Sequence, residues 1–176
     1  LGRVAGSLVG GSHLITKVYF PRLLLPLTGT VQPLFDLALS LGLLVGLMIY
    51  FGVTPSPRAL LLPVFLGVAW MAALGVGLWF AALNVHYRDA GHLLPFALQV
   101  WLYATPIVYP ASLVPERLRP WLGLNPMAGV VEGFRWALLD RPQPPGPELV
   151  VSAAVSLVLL GSGIFFFQRL ERSFAD

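Results

Sequence analysis

Few side chains in this sequence could take part in chemistry, and their spacing narrows what that chemistry is. Glu132 and Arg135 stand three apart around Gly133 in helix-like sequence. That spacing brings an acid and a base onto one helix face, where they form either a structural brace or a polar lining. Asp36 is the only charge in the apolar window 23–53. An ionisable group at such a place is costly without a partner or a wet cavity. It therefore lines a pathway, or it sits at headgroup depth on a helix that begins late, near Leu34. His13, His86 and His92 fall at the edges of apolar stretches, and His86 and His92, six apart, do not share a helical face as a metal pair would. Polarity at a membrane edge accounts for all three, and no metal site is expected.

The aromatic residues Trp101, Tyr103, Tyr109, Trp121 and Trp136 cluster in one third of the chain. Trp and Tyr collect at membrane–water interfaces for solvation reasons alone. The sharper alternative is a sugar-stacking path, because pyranose C–H faces pack on aromatic rings. Along such a path Trp101, Tyr103, Thr105 and Tyr109, with Asp36, are the candidate lining. Lys17, Tyr19, Phe20 and Arg22 form a second group, two adjacent aromatics between cations, with Pro21 ending any helix at Phe20. Aromatic and arginine anchors carry most interface energy, so this group reads as a short element docking in another protein. The simpler reading is a pair of interfacial anchors.

Motifs for covalent chemistry are missing. No GxxxxGK[ST] phosphate loop, HExxH zinc motif or GxSxG elbow occurs. There is no cysteine, hence no thiolate ligand, disulfide or thiol nucleophile. No catalytic residue is expected, and if ATP is used another chain must bind it.

The elements that position these groups follow from composition. Of 176 residues, 57% are hydrophobic and 11% charged, against about 25% charged in a soluble domain. Mean hydropathy is +0.79. Such a chain cannot cover its surface in water, which excludes a soluble enzyme, a disordered tail and a nucleic-acid binder. The net charge of +3 comes without a basic block. An all-α, polytopic transmembrane bundle remains. A span needs about 20 apolar residues, and four windows offer one: 23–53, 59–85, 93–109 and 149–168. The second and third carry no charge. Tight turns at 54–58 and 84–89 and a proline-rich linker at 141–147 separate them. Residues 10–25 and 110–139 are too polar to span and too apolar for ordinary loops. In the latter, Pro115, Pro120 and Pro126 break any long helix, and the stretch reads as a re-entrant segment or an amphipathic cap on the membrane surface. Small residues at four-residue spacing, Ala38-Gly42-Gly46 and Ala69-Ala73-Gly77-Ala81, predict close helix packing. Six basic residues on one side against five on the other leave the orientation open. With no initial Met and no signal-peptide pattern, the sequence reads as starting inside a longer protein.

Five motifs recur in order. They are Leu14-Ile15-Thr16-Lys17-Val18-Tyr19-Phe20-Pro21-Arg22, Leu83-Asn84-Val85-His86-Tyr87-Arg88-Asp89, Ala104-Thr105-Pro106-Ile107-Val108-Tyr109-Pro110, Leu124-Asn125-Pro126-Met127, and the ending Phe167-Gln168-Arg169-Leu170-Glu171-Arg172-Ser173-Phe174-Ala175-Asp176. Together they resemble the type-2 ABC transporter permeases that export lipopolysaccharide O-antigen, capsule and teichoic acid chains. Thr105 stands where that family usually has Ser, with the hydroxyl kept.

The resemblance implies a six-span permease of which this is the C-terminal two-thirds, a single transmembrane domain over 1–176. It makes 10–25 a cytoplasmic coupling element (Lys17, Tyr19, Phe20, Arg22) and 84–89 a second contact (Tyr87, Arg88, Asp89), both facing a separate ABC ATPase, and 110–139 the re-entrant external segment before the last span. The unit would be two permeases and two ATPases in the cytoplasmic membrane of a bacterium or archaeon. ATP and Mg would reside in the ATPase, and no cofactor on this chain. The partners would be lipids and a lipid-linked glycan. A permease for small hydrophobic compounds and a membrane-embedded enzyme of polymer assembly are the rival readings. The enzyme would need carboxylates or His converging at one membrane face, and here they are scattered.

Overall fold

The computed structural model describes residues 2–10, 27–53, 56–87, 90–107, 109, 113–115, 117, 119–139 and 144–171. Among these the secondary structure is helical, without strands. The helices are α1 (Gly2–Gly10), α2 (Val31–Tyr50), α3 (Leu62–His86), α4 (Ala90–Ala104), α5 (Arg119–Leu122), α6 (Pro126–Leu138) and α7 (Pro147–Glu171), with a 3-10 turn at Pro57–Leu61 leading into α3. The protein is an all-α bundle.

Local chemistry sets several of these boundaries. Proline opens the 3-10 turn, α6 and α7, where its missing N–H would have had no helical partner. Ser56 and Asn125 precede the first two of these, and their side-chain oxygens accept from Arg58 N and Met127 N, as helix-start residues do. α2 ends at Gly52, which takes φ 69° while Gly52 N donates to Ile49 O and Val53 N to Met48 O. A side chain there would be strained.

α2, α3 and α7 have 20, 25 and 25 residues, enough at 1.5 Å per residue to cross about 30 Å of hydrocarbon. α4 is shorter. The window 93–109 is helical only to Ala104, and α4 has 15 residues, roughly 22 Å. Pro106 disfavours helical backbone at Thr105, and the Thr105 hydroxyl turns back to donate to Trp101 O at 2.8 Å. At the other end α3 runs to His86, so the polar turn expected at 84–89 is shorter than its composition suggested.

The core forms where α3, α6 and α7 meet. α3 and α7 cross at Gly75 and Gly163, so closely that a Cβ on Gly75 would stand 2.5 Å from the backbone of Leu159 and Leu160. Next to that crossing Leu78, Ala81, Ala82 and Phe167 are buried, with Leu160 and Ile164 packed on them. Trp79 stacks on Phe166 at 4.2 Å between ring centres and its indole donates to Ser162 Oγ at 3.2 Å. α6 lies between the first turns of α3 and α7, with Val130 and Ala137 against Phe65, Val68, Leu149 and Ala153.

The small-residue stripe expected on α3 is divided between neighbours. Gly77 faces Val4 of α1, Ala69 and Ala73 line a cleft, and Ala81 joins the α7 contact. α2 differs from its companions: only 6% of its apolar window is buried, against 28% for α3. A Cβ at Gly42 or Gly46 would meet nothing within 4 Å. The Ala38-Gly42-Gly46 stripe therefore contacts no described part of this chain at its two glycines.

Candidate functional site

Asn125 sits where the end of α4, the start of α6 and the first turns of α7 converge. Its Oδ1 accepts from Trp101 Nε1 at 2.9 Å and from Met127 N at 3.1 Å. Its Nδ2 donates to Thr105 Oγ1 at 2.9 Å and to Ala104 O at 3.4 Å. Two donors and two acceptor positions are all that an amide side chain has, so this one is fully used. Ser152 on α7 continues the network, donating to Asn125 O at 3.3 Å while Gly129 N donates to Ser152 Oγ at 3.2 Å. A Cβ at Gly129 would stand 2.5 Å from that hydroxyl, so glycine is what lets α6 approach α7 here. Ser156, one turn on, donates to Ser152 O at 2.7 Å.

A charged tie lies one side-chain length away. Arg135 Nη1 donates to Glu132 Oε1 at 2.8 Å, and the two side chains are only 19% and 17% exposed. Arg135 Nη2 donates to Ile107 O at 2.7 Å. The pair thus does more than close on itself, since it holds the chain that leaves α4 against α6. Beyond it, the Arg58 guanidinium stands 5.0 Å from the centre of the Trp136 ring, within cation–π range. Trp136 Nε1 is buried and meets no acceptor.

Trp101 and Thr105 also form part of an open cleft of about 420 Å³, with Thr30, Leu37, Trp70 and Met127 among the other walls. The cleft is apolar. Its hydroxyls are committed: Thr30 donates to Leu27 O, and Thr105 both donates to Trp101 O and accepts from Asn125. As folded, it suits hydrocarbon better than the hydroxyl-rich edge of a sugar. The five residues expected along a pathway are not gathered. Tyr103 is 66% exposed, Tyr109 reaches back to donate to Tyr103 O at 3.3 Å, and Asp36 is exposed on α2 outside the cleft lining. Trp121 is also exposed.

Of the expected coupling residues, Tyr87 caps α3 and is exposed. Lys17, Tyr19, Phe20, Arg22, Arg88 and Asp89 lie outside the described residues, as does His13, and the side chains of His86 and His92 are likewise not described. Among the described residues no three of His, Asp and Glu converge as metal ligands would. Sequence reasoning missed Asn125 as the centre of the site. The available signal was Asn directly before Pro126, a helix-start pair, which announces the cap but not the reach to Trp101.

Comparison with known proteins now bears on this architecture. Residues 29–139 match the family model of the ABC-2 type transporter membrane domain. Over 178 aligned positions the chain is 31% identical to the O-antigen export system permease protein RfbA of Myxococcus xanthus, covering 100% of this chain and 68% of that protein. It is 23% identical over 172 positions to the protein of the same name from Klebsiella pneumoniae, covering 97% and 66%. The chain spans about two thirds of the length of these relatives. A bundle with three helices of membrane length, matched by this family over most of its length, is a multi-pass membrane component of a transporter, and the chain belongs to the ABC-2 type transporter family.

Proposed function

We propose that this chain is part of the permease subunit of an ATP-driven exporter that moves a lipid-linked polysaccharide, of the O-antigen, capsule or teichoic acid kind, across the cytoplasmic membrane. The observation that carries the reading is similarity along the whole chain to a protein named as an O-antigen export permease. The five ordered motifs support it. A separate ABC ATPase, two copies with two permeases, supplies the energy and binds ATP and Mg. It docks on residues 10–25 and on Tyr87, Arg88 and Asp89. ATP-driven closure of the ATPases shifts the two permease copies relative to one another, and the glycan passes between them. No covalent bond is made or broken on this chain.

Two features of the fold favour a path between copies over a path through one. The cleft inside the chain is apolar with its hydroxyls already bonded. Asp36 lies on a helix that the described residues leave largely uncovered, and a carboxylate facing plain hydrocarbon would be costly. On this reading Asp36, the exposed Tyr103 and the half-buried Tyr109 line the route, Trp101 and Thr105 shape its wall, and α6 with its flanks dips into the outer leaflet as a re-entrant segment.

The test is reconstitution of the full-length permease with its ATPase in vesicles. ATP hydrolysis should rise with lipid-linked glycan, and the glycan should move to the other leaflet. Stimulation by small hydrophobic compounds and none by glycolipid would overturn the reading in favour of a drug-type permease.

A further inference from the structure

The sequence places α4 between two points of mechanical interest. Its first residue, Ala90, follows directly on Tyr87-Arg88-Asp89, and its last turn carries Trp101 and leads into Thr105. Fifteen helical residues, with Pro95 inside the helix, make a strut of roughly 22 Å that lacks the one backbone hydrogen bond a proline cannot donate. At its far end the strut is not left to slide. Asn125 takes hydrogen bonds from, or gives them to, Trp101, Ala104 and Thr105, all at the end of α4, while the same side chain caps α6 through Met127 N. Arg135 adds a second tie from α6 to Ile107 O.

We propose that Asn125 is a force-transmitting joint: a displacement at Tyr87, just ahead of α4, is carried along α4 and handed to the outer segment through the Asn125–Trp101–Thr105 bonds. This rests on the reading of 87–89 as the ATPase contact. Asn125 is a positioning residue, acting through Trp101 and Thr105 and not on a substrate. The joint is stiff for a stated reason. The amide has no unused donor or acceptor with which to exchange partners, and Thr105, which it bonds, is only 2% exposed, while Trp101 and Asn125 are half-buried. Elsewhere contact between α4 and the outer segment is slight. α4 packs chiefly on α3 and α1, whereas α6 packs on α3 and α7, so the joint is the direct route from one to the other.

Two substitutions separate transmission from folding. Asn125→Ser keeps a good helix-start residue for α6 but is too short to reach Trp101 or Thr105. Trp101→Phe keeps an aromatic ring while removing the indole donor and part of the ring's bulk. The full-length permease, assembled with its ATPase, carries a single spin label at position 87 or at position 113. Both are exposed, and none of the 176 residues is a native cysteine. In the wild type both labels should change mobility when a non-hydrolysable ATP analogue is added. In Asn125→Ser and in Trp101→Phe the label at 87 should respond as before, while the response at 113 falls. Glycan moved per ATP should drop about fivefold in Trp101→Phe, the equivalent of one lost hydrogen bond, and by more in Asn125→Ser, which loses the bonds to Trp101, Ala104 and Thr105 together; the double variant should be no worse than Asn125→Ser alone.

A full response at 113 in both variants overturns the joint. So does a parallel loss at 87 and 113, which marks general loosening. A wild type in which neither label responds while glycolipid still stimulates hydrolysis overturns the joint alone. A wild type with neither response overturns the proposed function as well.

Discussion

Substituting alanine at Gly75 isolates the cost of parting α3 from α7. An added Cβ at this position would lie 2.5 Å from Leu159 C and Leu160 N. These are backbone atoms and cannot swing aside, so ordinary contact at 3.4 Å requires the helices to separate by about 0.9 Å. A gap of 0.5–1 Å forfeits roughly a quarter to a half of the dispersion well of each contact it opens. The contacts at stake are those of Leu78, Ala82, Leu160, Ile164 and Phe167. In a bilayer no hydrophobic term refunds the loss, because lipid tails are as apolar as the helix surface and packing is what holds helices together. Overpacking of this kind costs about 1–3 kcal/mol.

Gly→Ala also gains up to about 1 kcal/mol of helix propensity, which would mask part of the cost. Gly67 lies in the same helix with nothing within 4 Å of its Cβ position, so Gly67→Ala measures the gain alone. The difference between the two variants is then the steric term. At roughly 2–4 °C per kcal/mol, Gly75→Ala should melt about 2–12 °C below Gly67→Ala in detergent. Gly163→Ala should behave like Gly75→Ala, because its Cβ would meet Gly75 O at 2.5 Å, whereas at Gly161 nothing lies within 4 Å. The double variant Gly75→Ala with Gly163→Ala should cost less than the sum, since the crossing opens once. Equal melting of Gly75→Ala and Gly67→Ala would refute the reasoning.

Three further outcomes are expected. Arg135→Met removes both ties to Glu132 and Ile107 O and leaves a mostly buried carboxylate, at a cost of about 1–3 kcal/mol; limited proteolysis should cut the chain between α4 and α6 faster, and adding Glu132→Gln should restore part of the protection. Trp79→Phe, which keeps the ring opposite Phe166 and drops the bond to Ser162, should cost about 1 kcal/mol in thermal stability, and Trp79→Ala about 3–5 kcal/mol. Single cysteines at the exposed positions 57 and 117 should react with a membrane-impermeant thiol reagent in intact cells, and those at 18 and 88 only after lysis; labelling at 88 but not at 57 would reverse the orientation.

Fold class was legible because it depends on totals. Low charge, high apolar content and windows longer than the hydrocarbon thickness leave a helical bundle as the consistent solution. Helix starts at Ser56-Pro57 and Asn125-Pro126 were not read as such: 54–58 was expected as a turn and Pro126 as a helix breaker, whereas each proline opens a helix behind a capping side chain. Facing was not legible either. A helix that is apolar all round has no moment to point its inner side. The stripe through Ala69, Ala73, Gly77 and Ala81 was visible in α3 and Gly77 does meet α1 closely, yet the backbone-to-backbone crossing with α7 uses Gly75, outside the stripe, and Leu78, which composition alone would allow to face lipid, is 4% exposed. Only the partner helix decides such a register, and it lies more than 80 residues further along.

The same limit explains why Asn125 was missed while Glu132 and Arg135 were found. An ion pair at three-residue spacing is a property of one helix and can be read from its sequence. The Asn125 network joins residues 20 to 27 positions apart, through a turn whose path depends on Pro106, Pro126 and the absence of a side chain at Gly129. Such sites are visible to sequence reasoning only as unexplained polarity in an apolar region. Trp101, Thr105, Asn125, Ser152 and Ser156 are that kind of residue, scattered over more than 50 positions of an otherwise oily chain. In hydrocarbon each must find a partner, and the cheapest way for five scattered polar groups to do so is with one another. Isolated Ser, Thr, Asn and Trp in membrane windows therefore predict one another's contacts, and here that reasoning leads from composition to the joint between α4 and α6.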